Sequence, residues 1–369
     1  MIKFFSAVYD GNVSIRSVFL KQPSTIKDVA KLAQCGVATV SRVLNNTGPA
    51  SAETRERVLD AVEKLQFEFS EVGRSLQSST TRTIGCVIPS LANPVYADAV
   101  QGVQETFHKA GYQTLLVCTN YDTEVETQAI RTLMAKQVDG FVLTVSDALS
   151  SQGLRSIQNR EIPHCLLFNR APADAQSWAV DDYSAALKVV DEFVSMGHVH
   201  LGFLALKFKT SDRARQRYKG FIEGCFTNKL ERPALLEIAE DTENLDVLLT
   251  NFLRENPSIT GIFASNDILA LATIRSLRTL QLQVPKDISV VGFDGIRVGE
   301  MVEPSLATIA TEPRMLGQGA AQTVLSFIND LPLPEQPDLT LSFSFRNGGS
   351  LAPHVAENLG DDDVTAFPT

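Results

Sequence analysis

The sequence predicts an α/β protein, with a small all-helical unit at its N-terminus followed by two doubly wound parallel-sheet lobes. Three observations predict it. Between residues 24 and 69, apolar residues recur at helical spacing in three short stretches. Beyond Thr83 the pattern changes to short apolar strands alternating with helices, and that alternation runs twice. Finally, 369 residues at 44% hydrophobic content are too many for one compact unit and enough for more than one core.

The elements follow in chain order. Residues 1–23 mix short apolar pieces with Lys3, Asp10 and Arg16, so no apolar segment leads to a small-residue cleavage site and export is not expected. TIKDVAKLA sets Ile26, Val29, Ala30 and Ala33 on one face, with Thr25 three residues ahead of Asp28 as a capping box. A break from Gln34 to Gly36 precedes VATVSRVL, where Val40, Val43 and Leu44 share a face. Two short helices across a tight turn read as a helix-turn-helix. A third helix, Ala52 to Leu65, starts after Ser51 as its cap and repeats the spacing at Val58, Ala61, Val62 and Leu65.

The second of these helices then exposes Val37, Ala38, Ser41 and Arg42, mostly in its first turns, where a recognition helix meets base edges. Arg42 has twin donors for guanine, while Val37 and Ala38 offer only apolar contact, as to a thymine methyl. Thr39, Asn45, Asn46, Thr54 and Arg55 suit phosphates, which position a protein without specifying sequence. Thr25 completes the candidate DNA-binding face. Spacing alone fits equally well any three-helix bundle with a solvated polar face. Charge does not decide between the two: the chain carries −10 overall, and residues 24–82 hold eight basic residues against seven acidic.

The residues themselves go further. TIKDVAKLA, VATVSRVLNN and TRERVLDAVEKL closely resemble the headpiece of the lactose-repressor and galactose-repressor (LacI/GalR) family of bacterial transcriptional regulators. The resemblance implies a hinge helix that docks in the DNA minor groove as a dimer and wedges a leucine between base pairs. The matching stretch SEVGRSLQSSTTRTIG places that leucine at Leu76, beside Arg74 and Ser75. The family's usual Gly-Val-Ser turn is Gln34, Cys35 and Gly36 here, and in the hinge Phe69 replaces a proline and Gly73 an alanine. A looser hinge, with DNA binding retained, is the expectation.

The second part of the chain runs through the strands IGCVIP, YQTLLVC, GFVLTV and HCLLF, and then LGFLAL, LLEIA, GIFAS and ISVVGFD. Helices are expected up to Ala110, up to Lys136, around Tyr218 to Phe226, around Leu245 to Leu253, and up to Leu280. Two similar lobes imply a cleft, and ligands of such sheets sit beyond the carboxyl ends of the strands. Those positions hold Asn93, Tyr96, Asn169, Arg170, Asp181, Asn266, Asp267 and Asp294, with Arg217 on the helix after LGFLAL. Carboxylates, amides, arginines and one aromatic ring suit a polyhydroxylated ligand, a sugar or its acid. Asp181 and Asp267 read equally as helix caps, and Asn93 with Pro94 as a turn.

LANPVY, FNR, RYKGF, SND and GFDG also resemble the ligand-contacting motifs of the same family's effector domain and of periplasmic sugar-binding proteins. That resemblance assigns ligand contact to Asn93, Tyr96, Asn169, Arg170, Arg217, Asn266 and Asp294. Val95 stands where an aromatic platform is common, and Asn169 where an aspartate is. The reading divides the chain into an unassigned extension (1–23), a helix-turn-helix domain (24–69), a hinge helix and linker (70–81), a two-lobed effector-binding and dimerisation domain (82–351) and a flexible tail (352–369). Its partners are double-stranded operator DNA, a small-molecule effector and a second copy of the chain, with a tetramer left open.

Other classes fit less well. There is no Gly-rich phosphate loop, no G-x-S-x-G elbow and no metal-spaced His/Cys cluster, so neither catalysis nor a cofactor is expected. His198 and His200 lie i, i+2 without a third ligand for zinc. Five widely spread cysteines suggest no disulfide framework and suit a reducing cytoplasm, and no run approaches the roughly 18 apolar residues of a membrane span. A transport-type sugar-binding protein would lack the headpiece and carry a signal peptide. A purine sensor would want adjacent aromatic rings, and Tyr96 is the only obvious one.

Overall fold

A computed structural model describes residues 24–45, 48–67, 80–170, 175–239, 244–335 and 343–354. The expectations for residues 1–23, Asn46, Phe69, Gly73, Arg74, Leu76 and the tail beyond 354 lie outside these residues. The chain divides into two units, the first ending at Ser79 and the second starting at Thr80.

The first unit is built from α1 (Ile26–Leu32), α2 (Val37–Asn45) and α3 (Ala52–Leu65). Val29, Val40 and Val58, one from each helix, are fully buried and meet with Ala30, Ala33, Val43 and Ala61 in one small core. The three apolar stripes therefore close on one another, which is where helices this short obtain their stability. At the start of α1, the Asp28 carboxylate accepts from the Thr25 N–H at 2.9 Å and from the Thr25 hydroxyl at 2.7 Å. Those two bonds hold the Asp28 pKa below its ordinary value, the hydroxyl contact contributing most. The Ser51 hydroxyl accepts from Thr54 N–H to begin α3, and Ser24 Oγ donates to the Leu65 carbonyl to tie the ends together.

The second unit holds two sheets. The first lobe contains β1 (Thr83–Ile88), β2 (Gln113–Cys118), β3 (Gly140–Leu143), β4 (His164–Leu167) and β5 (Ser177–Trp178), all parallel in the order β2-β1-β3-β4-β5. The second contains β6 (Leu201–Leu206), β7 (Ala234–Ile238), β8 (Gly261–Ala264), β9 (Ser289–Asp294), β10 (Ala307–Thr311) and β11 (Phe343–Arg346), in the order β11-β10-β9-β8-β6-β7. Only β11 runs antiparallel to its neighbour. Strands β3, β8 and β9 are buried along their whole length, because helices cover both faces of a parallel sheet.

The helices of this unit are α4 (Pro94–Lys109), α5 (Thr123–Ala135), α6 (Gln152–Gln158), α7 (Asp182–Ser195), α8 (Asp212–Thr227), α9 (Leu245–Glu255), α10 (Asp267–Thr279) and α11 (Pro313–Asn329). Two of them exchange lobes. After β5 the chain crosses over, and α7 packs on α8 of the second lobe; after β10 it crosses back, and α11 packs on α4 and on β3, β4 and β5 of the first. Contact there is close. A Cβ on Gly317 would meet the Ala99 carbonyl at 2.0 Å, and one on Gly102 the Arg314 carbonyl at 2.2 Å. Trp178 Nε1 donates to Thr323 Oγ1 at 3.0 Å, fixing α11 to the end of β5. No described helix is long and apolar enough to cross a membrane.

Candidate effector site and DNA-reading face

On α2, Val37, Ala38 and Arg42 are exposed, Val37 to 41%, while Thr39, Ser41 and Asn45 are half-buried. The outward face therefore combines two small apolar groups with one guanidinium. Asn45 Nδ2 donates to Ser41 Oγ at 3.3 Å, so these two hydroxyl and amide groups already share one bond. Thr54 and Arg55 are half-buried at the start of α3, Thr54 sharing a 2.8 Å hydrogen bond with Ser51. The Gly36 carbonyl accepts from the N–H groups of Thr39 and Val40, which makes Gly36 the residue that opens α2. The turn is made instead by Gln34, at φ 53°.

In the second unit, five of the seven expected ligand residues line one cavity between the lobes: Asn93, Tyr96, Arg217, Asn266 and Asp294. Asn93 caps α4 by accepting from Val95 N–H, and its Nδ2 donates across the cleft to Asp294 at 2.9 Å. Asn266 caps α10 by accepting from Leu269 N–H. Tyr96 meets Phe168 edge to face, centroids 5.4 Å apart. Arg217 donates from Nε to Asp182 at 2.7 Å and from Nη1 to the Ser265 carbonyl, and its guanidinium lies 3.4 Å over the Phe293 ring. The free space among these groups is about 30 Å³, enough for a water and far below a ligand's volume. The lobes are shut.

Asn169 and Arg170 are placed elsewhere. Asn169 is fully buried, its Oδ1 accepting from Val145 N–H and its Nδ2 donating to the Val145 carbonyl and to Asp212. It bridges the lobes and is absent from the cavity wall. Arg170 is exposed at the end of β4 and is likewise absent from that wall. Asp181 caps α7 through Ser184, and Asp267 joins α10 to Ile296 N–H and the Thr308 hydroxyl, so both have structural work. Phe168, Leu206, Ser211, Arg213, Ala214 and Ser265 also line the wall without having been candidates from the sequence. Ser211 caps α8, and Arg213 sits one helical turn before Arg217, a spacing that puts both guanidinium groups on one face.

Burial shapes the charges here. It pushes the Asp294 carboxyl up to about 6, against the opposing pull of Arg217 and the Asn93 hydrogen bond. Burial and then nearby Asp294 push Asp267 up to about 8. Asp182 is raised too, by burial, although Arg217 faces it. Arg213 keeps its charge, since Tyr96 and Asp212 more than offset the effect of burial. A larger open groove of about 820 Å³ runs along the start of α5, but Val125 is its only apolar side chain and it has no aromatic ring. The cavity between the lobes, with rings beside opposed donors and acceptors, is the better ligand site. Buried His198 engages Thr260 and the Ala352 carbonyl, and no metal-holding group of His, Cys, Asp or Glu occurs among the described residues.

Two family models match this chain: residues 25–69 match the bacterial regulatory proteins of the lacI family, and residues 81–341 the periplasmic binding proteins and sugar binding domain of that family. The transcriptional repressor PurR of Aliivibrio fischeri is 34% identical over 315 residues, covering 83% of this chain and 92% of the relative. The ribose operon repressor of Halalkalibacterium halodurans is 30% identical over 312 residues, covering 84% and 92%. In fold, the chain is similar to the lac repressor dimer solved with operator and the anti-inducer ONPF, with a TM-score of 0.77, 24% identity, and coverage of 90% and 100%. The chain belongs to the lacI family of bacterial regulatory proteins, as a ligand-responsive, DNA-binding transcriptional repressor.

Proposed function

We propose that this repressor acts as a cytoplasmic homodimer on a near-palindromic operator and senses a sugar or sugar acid held between its two lobes. The cavity carries the reading: Asn93, Asn266, Asp294 and Arg217 share one wall with Tyr96, a set of donors, acceptors and an aromatic ring that suits hydroxyl groups able to do both. On the DNA side, Val37, Ala38, Ser41 and Arg42 read base edges, while Thr25, Thr39, Asn45, Asn46, Thr54 and Arg55 hold the backbone, and Arg74 and Leu76 serve the hinge. The named relatives support a repressor, one of them of a ribose operon. The domain limits proposed are those set out from the sequence.

Operator selection from random duplex DNA tests this, with salt dependence recorded and the selection repeated over sugars, sugar acids and purines. Recovery of a palindrome whose affinity changes with one sugar or acid is the expected result. Tight binding of a sugar without any enriched sequence would mean a sensor whose headpiece no longer reads DNA. A purine is a second candidate because Phe168 joins Tyr96 on the wall; their rings, however, are perpendicular and face each other, leaving no parallel pair to sandwich a base.

A further inference from the structure

Among the described residues, three buried side-chain nitrogens have no hydrogen-bond partner, and Arg213 Nη2 alone belongs to the cavity wall. Arg213 is 5% exposed. Its Nη1 donates to the Val145 carbonyl at 2.9 Å and to Asp212 at 3.1 Å. Asp212 is a shared counter-ion, since it also accepts from Asn169 Nδ2 and from Ala148 N–H. Arg217, on the same helix face, is better served by Asp182, Ser265 and Phe293.

We propose that the effector is a carboxylate-bearing polyol, an aldonic or uronic acid, whose carboxylate is bound by Arg213 Nη2. The inference rests on the polyol-sensing reading above and narrows it. A guanidinium can only donate, and a buried donor without an acceptor is destabilising, so the ligand atom placed there must accept. Val95, Phe168, Leu206 and Ala214 on the same wall limit water, which strengthens a charge-assisted bond over a neutral one. A hydroxyl would satisfy the geometry but not the charge that Asp212 divides among three donors. A phosphate monoester would bring two negative charges toward Asp182, Asp212 and Asp294 and is disfavoured. The remaining hydroxyls of the acid face Asn93, Asn266 and Asp294.

The full chain is titrated calorimetrically with C5 and C6 aldonates and uronates, their aldoses and alditols, the corresponding sugar phosphates, and purine bases. One acid is expected to bind at least about tenfold more tightly than its neutral counterparts and its phosphate ester. Arg213→Gln is expected to weaken that acid by about 10- to 100-fold, and by at least about fivefold more than it weakens the neutral counterpart, with Arg213→Lys falling between. If Arg213→Gln does not fold, the acid-against-neutral comparison on the unaltered chain decides alone. A neutral sugar or a phosphate ester bound as tightly as the acid, or equal weakening of both ligands by Arg213→Gln, overturns the carboxylate assignment and leaves the polyol reading standing. Binding of a purine alone, or of no compound in the panel, overturns both.

Discussion

Gln34 turns the chain between α1 and α2 in the left-handed region, where a side chain is unfavourable and glycine is not. Gln34→Gly should therefore raise the stability of the first unit by about 0.5–1 kcal/mol, read from its thermal transition. On the neighbouring helix, Arg42 is the one exposed guanidinium among the base-reading candidates, and Arg42→Ala should cost about 1–3 kcal/mol of specific binding and relax one operator position, measured by titration against single-base operator variants. Asp294 gives a pH signature. The folded chain holds its proton more tightly than an unfolded chain does, so this contribution to stability is full below about pH 4 and is lost as pH rises through about 6. Asp294→Asn should unfold at a higher temperature than the unaltered chain above pH 6, by about 1–3 kcal/mol, with the gain vanishing near pH 4. Burial sets that balance first, with Arg217, Asn93 and Arg213 pulling the carboxyl down and Asp182 and Asp267 pushing it up. Five residues of the cavity wall were legible because each follows a strand or lies in a recognisable motif. Asn169 and Arg170 stand in such a motif too, but the sequence does not tell which side chain at a strand end turns into the cleft and which bridges the lobes. The i, i+4 spacing of Arg213 and Arg217 is itself a sequence signal for two guanidinium groups on one helix face.

At the level of elements, periodicity located α3 and β6 to the residue, because large apolar side chains mark their buried faces. It missed α6, α7 and α11 and the strands β5, β10 and β11. The buried face of α11 is composed largely of small residues, Gly317, Gly319, Ala320, Ala321 and Thr323, which carry little apolar contrast. Small residues are what the packing needs, since α11 and α4 approach until their backbones touch at Gly317 and Gly102. Gly317→Ala should force these helices apart and cost about 1–3 kcal/mol, seen as a lowered midpoint in urea with operator binding by the first unit measured separately. The glycine of RYKGF has a similar duty: a Cβ on Gly220 would meet the Tyr183 carbonyl of α7 at 2.2 Å. Part of a motif associated with ligand is thus a helix-packing motif.

Across the whole second unit, the lobes are joined by chain crossings and by a row of polar contacts. Asp147 pairs with Arg215, Asp212 binds Ala148 and Asn169, Arg213 binds Val145, and Asn93 binds Asp294. The two-lobed plan was legible from the repeated strand-helix alternation, whereas the exchange of α7 and α11 between lobes depends on long-range packing that no local pattern encodes. Breaking the partly exposed pair with Arg215→Ala should loosen the closed form, enlarging the radius of gyration in solution scattering. The cavity among the polar groups holds about 30 Å³ and the one beside it, which shares Asn93, Leu206 and Asn266, about 150 Å³, so a ligand of several hundred Å³ needs the lobes to part before it can be seated. Occupancy is then governed by a gate as well as by affinity. In rapid mixing, followed through Trp178 at the crossing, the observed rate should level off at high ligand concentration rather than climb in proportion, and Arg215→Ala should lift that plateau. A regulator so built would take up its ligand no faster than its lobes part, however much ligand surrounds it.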